Sequence, residues 1–258
     1  MLLKTDDKVQ LFYQCSGDPA NPALLFSNSL GTDWQMWQPQ IEALSRHFYV
    51  ISYDTRGHGA SDKPVGPYTL TRLGQDALCV LGALNIKKAH FCGISMGGLT
   101  GLWLAIYAPE RFSRIVVANT AAKVGQTEAW LNRAAMVRQQ GMVDLAKSAP
   151  QRWFTERFIN NNNTLVASLT ATLAQQDAEG YAACCEALAE ADLRTSLTKI
   201  TIPLLVIAGN ADPVTTVADA KDICQACPSA RLLSLKASHI SNLEQPSAFN
   251  QALKGFLR

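Results

Sequence analysis

Three observations predict an α/β fold: a mostly parallel central sheet flanked by helices, with an inserted helical cap. Short apolar runs such as Leu24-Leu25-Phe26 and Val206-Ile207-Ala208 alternate with longer stretches of helical period. One such run, Ala89-His90-Phe91-Cys92, passes through Gly93-Ile94-Ser95-Met96-Gly97 straight into a helical pattern. From Lys123 to Thr195 the period is helical throughout and no buried-strand run occurs. At 258 residues the chain fits one large domain with an insertion. The expected division is a core of residues 1–122 and 196–258 and a cap of residues 123–195.

Taken in order, residues 9–15 alternate in polarity and predict an antiparallel strand, broken by Ser16-Gly17-Asp18-Pro19. Ala23-Leu24-Leu25-Phe26 is continuously apolar, hence a strand buried on both faces. After the loop at residues 27–32, Asp33 to His47 carries Trp34, Trp37, Ile41 and Leu44 at helical spacing. Residues 49–53 form the next buried strand, running into the loop Asp54-Thr55-Arg56-Gly57-His58-Gly59-Ala60-Ser61. Residues 70–84 predict a helix, residues 99–106 the helix after Ser95, and residues 114–119 a strand. Glycines 125, 141 and 180, with Pro150, divide the cap into about four helices. Strand character returns at residues 203–209. A helix follows from 216 to 227, then a strand at 230–235 and a final helix at 248–256.

A net charge of +2 gives no field suited to nucleic acid. No apolar run is long enough to span a bilayer. Asp6 and Asp7 stand where a signal peptide needs its apolar core, which points to the cytoplasm. Seven cysteines cannot all pair within one chain. Cys224 and Cys227 form a C-x-x-C without a second pair of ligands, so buried thiols are the expectation there.

Gly-x-Ser-x-Gly between a strand and a helix is the pattern of a nucleophile elbow. Glycines flank the serine because the turn is too tight for side chains. The following helix N-terminus presents unpaired N–H groups and partial positive charge, which suit an oxyanion. A serine hydroxyl needs a base. In this architecture the order along the chain is serine, acid, histidine. The chain has four histidines, and His239 alone lies beyond Ser95. Asp212 follows the strand at residues 203–209 and precedes His239, as the orienting acid should. Its alternative is an N-cap for the next helix. The oxyanion donors expected are the N–H of Met96 and, from the loop at residues 27–32, that of Leu30. His58 lies in the wrong order for the base and reads as structural. Trp34, Trp130 and Trp153 are candidates to line a pocket, although packing is the commoner fate of such residues.

On Asn28-Ser29-Leu30-Gly31-Thr32, Tyr53 to Ser61, Cys92 to Gly98 and Ala118-Asn119-Thr120-Ala121, the chain resembles the α/β-hydrolases over almost its whole length. Within them it resembles the 3-oxoadipate enol-lactonase family, to which Asn28-Ser29-Leu30-Gly31 points most narrowly. The resemblance implies hydrolysis of an enol-lactone from bacterial aromatic breakdown, without metal or cofactor. It assigns triad roles to Ser95, Asp212 and His239 and an oxyanion role to Leu30. A carboxylesterase or a hydrolase of carbon–carbon bonds would use the same apparatus. A non-catalytic receptor on this fold predicts a broken triad or elbow.

The cap's charges add a reading of their own. Residues 123–158 hold six Lys and Arg against three Asp and Glu, whereas residues 159–195 hold one against five. A basic first half suits a small anionic substrate, and the implied enol-lactone carries a carboxylate. Trp130, Arg133 and Val137 share a helical face, so Arg133 is the expected carboxylate ligand. Arg138 points about 100° away.

Overall fold

The computed structural model describes residues 1–258. The apolar runs become a single eight-stranded sheet of order β1-β2-β4-β3-β5-β6-β7-β8. The strands are β1 (Leu2–Lys4), β2 (Gln10–Ser16), β3 (Ala23–Ser27), β4 (Tyr49–Tyr53), β5 (Ala89–Ile94), β6 (Phe112–Ala118), β7 (Leu204–Gly209) and β8 (Ala230–Leu235). β1 and β2 run antiparallel to their neighbours, and every pair from β4 to β8 is parallel. β3, β5 and β7 are buried along their full length, because helices cover both faces. β1 is a strand that periodicity does not detect; three residues are too few to show a period, and its register depends on Phe12, Leu11 and Gln10.

The helices of the core are α1 (Gln38–Leu44), α2 (Leu70–Ala83), α3 (Met96–Tyr107), α10 (Val217–Ala226), α11 (Ser241–Glu244) and α12 (Pro246–Leu257). The single helix expected from Asp33 to His47 is instead a tight 3-10 turn, Trp34–Trp37, followed by α1. Asp33 caps the turn, and Pro39 lies in the first turn of α1, where its missing N–H costs nothing. α3 is apolar nearly all round because it is buried against the sheet. α12 shows the opposite pattern: Phe249, Leu253 and Leu257 form one buried stripe. Trp37 sits between them and the sheet, stacked on Phe26 with centroids 4.3 Å apart and 6.3 Å from Phe249. Arg56 of the loop after β4 is buried and ion-paired to Asp76 on α2, with Asp7 on its other side. That pairing fixes the loop against α2. No helix is long and apolar enough to cross a membrane.

Between β6 and β7 the chain is entirely helical. It holds six helices, not the four expected: α4 (Thr127–Gln140), α5 (Val143–Lys147), α6 (Pro150–Trp153), α7 (Glu156–Asn161), α8 (Asn163–Ala174) and α9 (Ala178–Glu190). The extra breaks come from local caps; Thr155 accepts from Phe158 N–H and so starts α7. The two halves of the charge pattern meet here, as Arg138 on α4 pairs with Glu179 and Glu186 on α9.

His90 at the start of β5 carries a testable consequence. It lies edge-on to Phe48, and its Nδ1 is buried without a partner. Burial, helped by the Arg114 charge, pushes its imidazole down to about 4. An unfolded histidine titrates near 6.5. The unfolded chain therefore takes the proton first, and stability falls as pH drops from about 6.5 towards 4. In urea melts at pH 7 and pH 5, a His90→Leu variant should lose less stability between the two pH values than the wild type. The difference should be on the order of 1 kcal/mol after solvent screening. Equal losses would show that His90 carries no proton linkage.

Candidate active site

Ser95 sits between β5 and α3 at φ 56° and ψ −115°, a conformation few side-chain-bearing residues adopt. The flanking glycines are required by contact. A Cβ at Gly93 would lie 2.1 Å from the Gly97 carbonyl oxygen, and one at Gly97 would lie 2.2 Å from that of Ser27. The turn is anchored by Ser95 N–H to Ala118 O (3.0 Å) and by Thr120 Oγ1 donating to Ser95 O (2.8 Å).

Asp212 and His239 come from loops after neighbouring strands, β7 and β8. His239 Nδ1 lies 2.8 Å from Asp212 Oδ2. The same oxygen accepts from Asn119 Nδ2 (3.0 Å) and Thr215 Oγ1 (2.9 Å). Oδ1 accepts from the N–H groups of Val214 (2.8 Å) and Thr215 (3.0 Å). Burial pushes the Asp212 carboxyl up, but these partners, His239 foremost, hold it below the usual carboxylate range. Asp212 does not cap α10; Thr216 does, in a reciprocal capping box with Asp219.

The histidine loop is held from two sides. Glu244 accepts from Ser238 N–H (2.8 Å), and Ile240 N–H donates to the Trp153 carbonyl (3.0 Å), which ties the loop to α6. Asn119, at φ 47°, bridges the two arms. It donates to Asp212 and to the Ser238 carbonyl (3.0 Å) and accepts from Ser241 Oγ (2.5 Å). This role was missed in the sequence, where Asn119 stood out only as part of a family marker.

Ser95 and His239 face one cavity of about 250 Å³, with no hydrogen bond between them. Such contacts are often loose before substrate arrives. Leu30 lies on the cavity wall, and Met96 begins α3 directly behind Ser95. Neither backbone N–H has an acceptor in the protein. The Asn28 carbonyl takes the Gly97 N–H (3.1 Å), which holds the Leu30 loop against the elbow.

Trp130, Arg133 and Trp153 also line the cavity. The Arg133 guanidinium lies 4.7 Å from the Trp130 ring centroid. Trp34 does not line it. Its N–H is taken by Asp54 Oδ1 (2.9 Å), and its ring packs against the core at the start of the tight turn. Arg152, which sequence reasoning counted only as charge, is a cavity residue. Its guanidinium is anchored on the Ser148 carbonyl and hydroxyl (3.0 and 2.8 Å). Burial and the neighbouring Arg133 charge both lower its pKa. Neither arginine forms an ion pair within the chain, whereas Arg138 does, with two glutamates.

A family profile described as the alpha/beta hydrolase fold matches residues 22–246. The chain is 55% identical to 3-oxoadipate enol-lactonase 2 of Acinetobacter baylyi, over 98% of this chain and 95% of that protein. It is 50% identical to 3-oxoadipate enol-lactonase 1 of the same organism, over 96% and 93%. Among solved structures, the enol-lactonase from Burkholderia xenovorans LB400 superposes with a TM-score of 0.98 at 42% identity, covering 100% of this chain and 99% of that one.

Proposed function

The chain belongs to the alpha/beta hydrolase family, and on that premise we propose that it hydrolyses the ester of a small anionic lactone, 3-oxoadipate enol-lactone, to 3-oxoadipate. The observation that carries the reading is the cavity, where the Ser95 elbow and His239 share about 250 Å³ with Arg133 and Arg152. Two half-buried cations side by side in one cavity, without a carboxylate partner, favour an anion that joins them. A planar guanidinium matches a carboxylate in bidentate geometry.

In this reading Ser95 Oγ attacks the lactone carbonyl and passes its proton to His239 Nε2. Asp212 holds His239 with Nδ1 protonated, so that Nε2 is free to accept, and offsets the imidazolium charge. The tetrahedral oxyanion rests on the N–H groups of Leu30 and Met96. The ring C–O bond breaks, and His239 returns the proton to the departing enol oxygen. The enol remains tethered to the acyl group and becomes the ketone. Water, deprotonated by His239, then releases the acid from Ser95. Residues 123–195 act as a cap that closes the cavity and carries the substrate's carboxylate ligands, Arg133 foremost. Trp130 and Trp153 supply the apolar walls. Seven free thiols suit a reducing compartment such as the cytoplasm.

Turnover of the enol-lactone beside that of an uncharged aryl ester tests the substrate class. The enol-lactone should be preferred in kcat/KM; preference for the neutral ester would make the enzyme a general carboxylesterase. Replacing Arg133 with methionine should cost about 2–4 kcal/mol in kcat/KM on the enol-lactone, and far less on the aryl ester. Equal losses on both would mean that Arg133 holds the cap and does not read the substrate.

A further inference from the structure

His58 is fully buried beside the loop that carries Leu30. Its Nε2 accepts the Gly31 N–H at 2.9 Å. Gly31 has φ 81°, and a Cβ there would meet Leu173 Cδ1 at 2.5 Å. The Leu30 N–H lies in the first of the two peptides that flank Leu30, and the second holds the Leu30 backbone from its other side. The first has its carbonyl pinned, since Ser29 O accepts from Thr32 Oγ1 (2.7 Å) and Thr32 N–H (3.2 Å). The second has its N–H pinned by His58. With both planes held, the Leu30 N–H is left as the free donor on the cavity wall.

We propose that His58 is a positioning residue for the oxyanion hole, its neutral imidazole fixing the Gly31 peptide so that the Leu30 N–H meets the developing oxyanion. The inference rests on the hydrolytic reading of Ser95 and adds a part to it. One tautomer fits the surroundings. Nε2 must be bare to accept from Gly31, and Nδ1 faces the Arg56 carbonyl at 3.4 Å. Burial pushes the imidazole down to about 4, so it stays neutral at working pH. Protonation would set a second donor against the Gly31 N–H. The His58 loop is itself held from above. A Cβ at Gly180 on α9 would lie 2.3 Å from the Gly57 carbonyl oxygen, so backbone meets backbone there. Through Gly57 and His58 the seating of α9 thus bears on the oxyanion loop.

The test compares His58→Leu, which cannot accept, with His58→Gln, whose Oε1 can reach the place of Nε2. His58→Leu should lose about 10–100-fold in kcat with little change in KM, the scale of a misplaced donor. A carboxyalkyl boronic acid, which adds to Ser95 and puts an oxygen into the hole, should bind more weakly by a similar factor. Glutarate, a ground-state dicarboxylate, should bind the variant as it binds the wild type. His58→Gln should recover most of the loss in both kcat and boronate affinity. Equal losses in the two variants, or undiminished boronate affinity in His58→Leu, would overturn the inference. Absence of any boronate adduct on the wild type would overturn the hydrolytic reading and this inference together. Should His58→Leu fail to fold, nitrogen-15 NMR of the wild type decides. Nε2 should be unprotonated and should shift on boronate addition but not on glutarate addition. A protonated Nε2, or no response to boronate, would overturn the proposal.

Discussion

Ser95→Ala should fold and melt as the wild type does and lose on the order of 10⁴–10⁶-fold in kcat. The Ser95 hydroxyl makes no hydrogen bond within the protein, so its removal leaves no buried group unpaired. The backbone that sets the elbow is untouched, because its bonds run through Ser95 N–H and C=O. His239→Ala should fall as far, and the double variant should be little worse than either single one, since the residues act as a unit. Kinetics on the enol-lactone, with circular dichroism as the fold control, checks both. Loss of all turnover in His58→Ala with activity retained in His239→Ala would reassign the base.

Asp212→Asn should lose about four orders of magnitude in kcat, by analogy with other triads. The local geometry gives the reason. Both carboxylate oxygens are ringed by donors: Val214 and Thr215 N–H on Oδ1; Thr215 Oγ1, Asn119 Nδ2 and His239 Nδ1 on Oδ2. Whichever way the amide turns, its NH₂ group faces at least one donor. If it faces His239, the imidazole is driven to the other tautomer, with Nε2 protonated and unable to take the Ser95 proton. If it faces the Val214 and Thr215 N–H groups, the turn after β7 is strained. A modest fall in melting temperature should therefore accompany the kinetic loss. Near-normal turnover would mean that another carboxylate orients His239.

Features coded by local pattern were legible in the sequence. The buried strands announce themselves as apolar runs, and α2, expected at residues 70–84, ends within one residue of that limit at Ala83. The elbow is a contiguous motif, and chain order alone singles out His239. What was not legible depends on partners far away in sequence. Asn119 becomes a bridge only when Asp212, Ser238 and Ser241 are brought to it. In the sequence Arg152 is one of several cap cations; only the fold pairs Arg138 with Glu179 and Glu186 and puts Arg152 in the cavity wall. Trp34 had a pocket residue's chemistry, but the Asp54 carboxylate holds its backbone on the core side. Chain order marks His58 as structural, and its bond to Gly31 adds a purpose that no local pattern carries.

Attack by Ser95 on the lactone carbonyl is tested most directly by rapid quenching. Enzyme in excess over enol-lactone is stopped within the first turnover, digested and weighed. Covalent attack predicts the mass of one substrate added to the peptide that contains Ser95, rising and decaying with product formation, and absent in Ser95→Ala. Product formed at the normal rate with no added mass at any time in that single turnover would contradict it, and would assign the attack to water activated directly by His239.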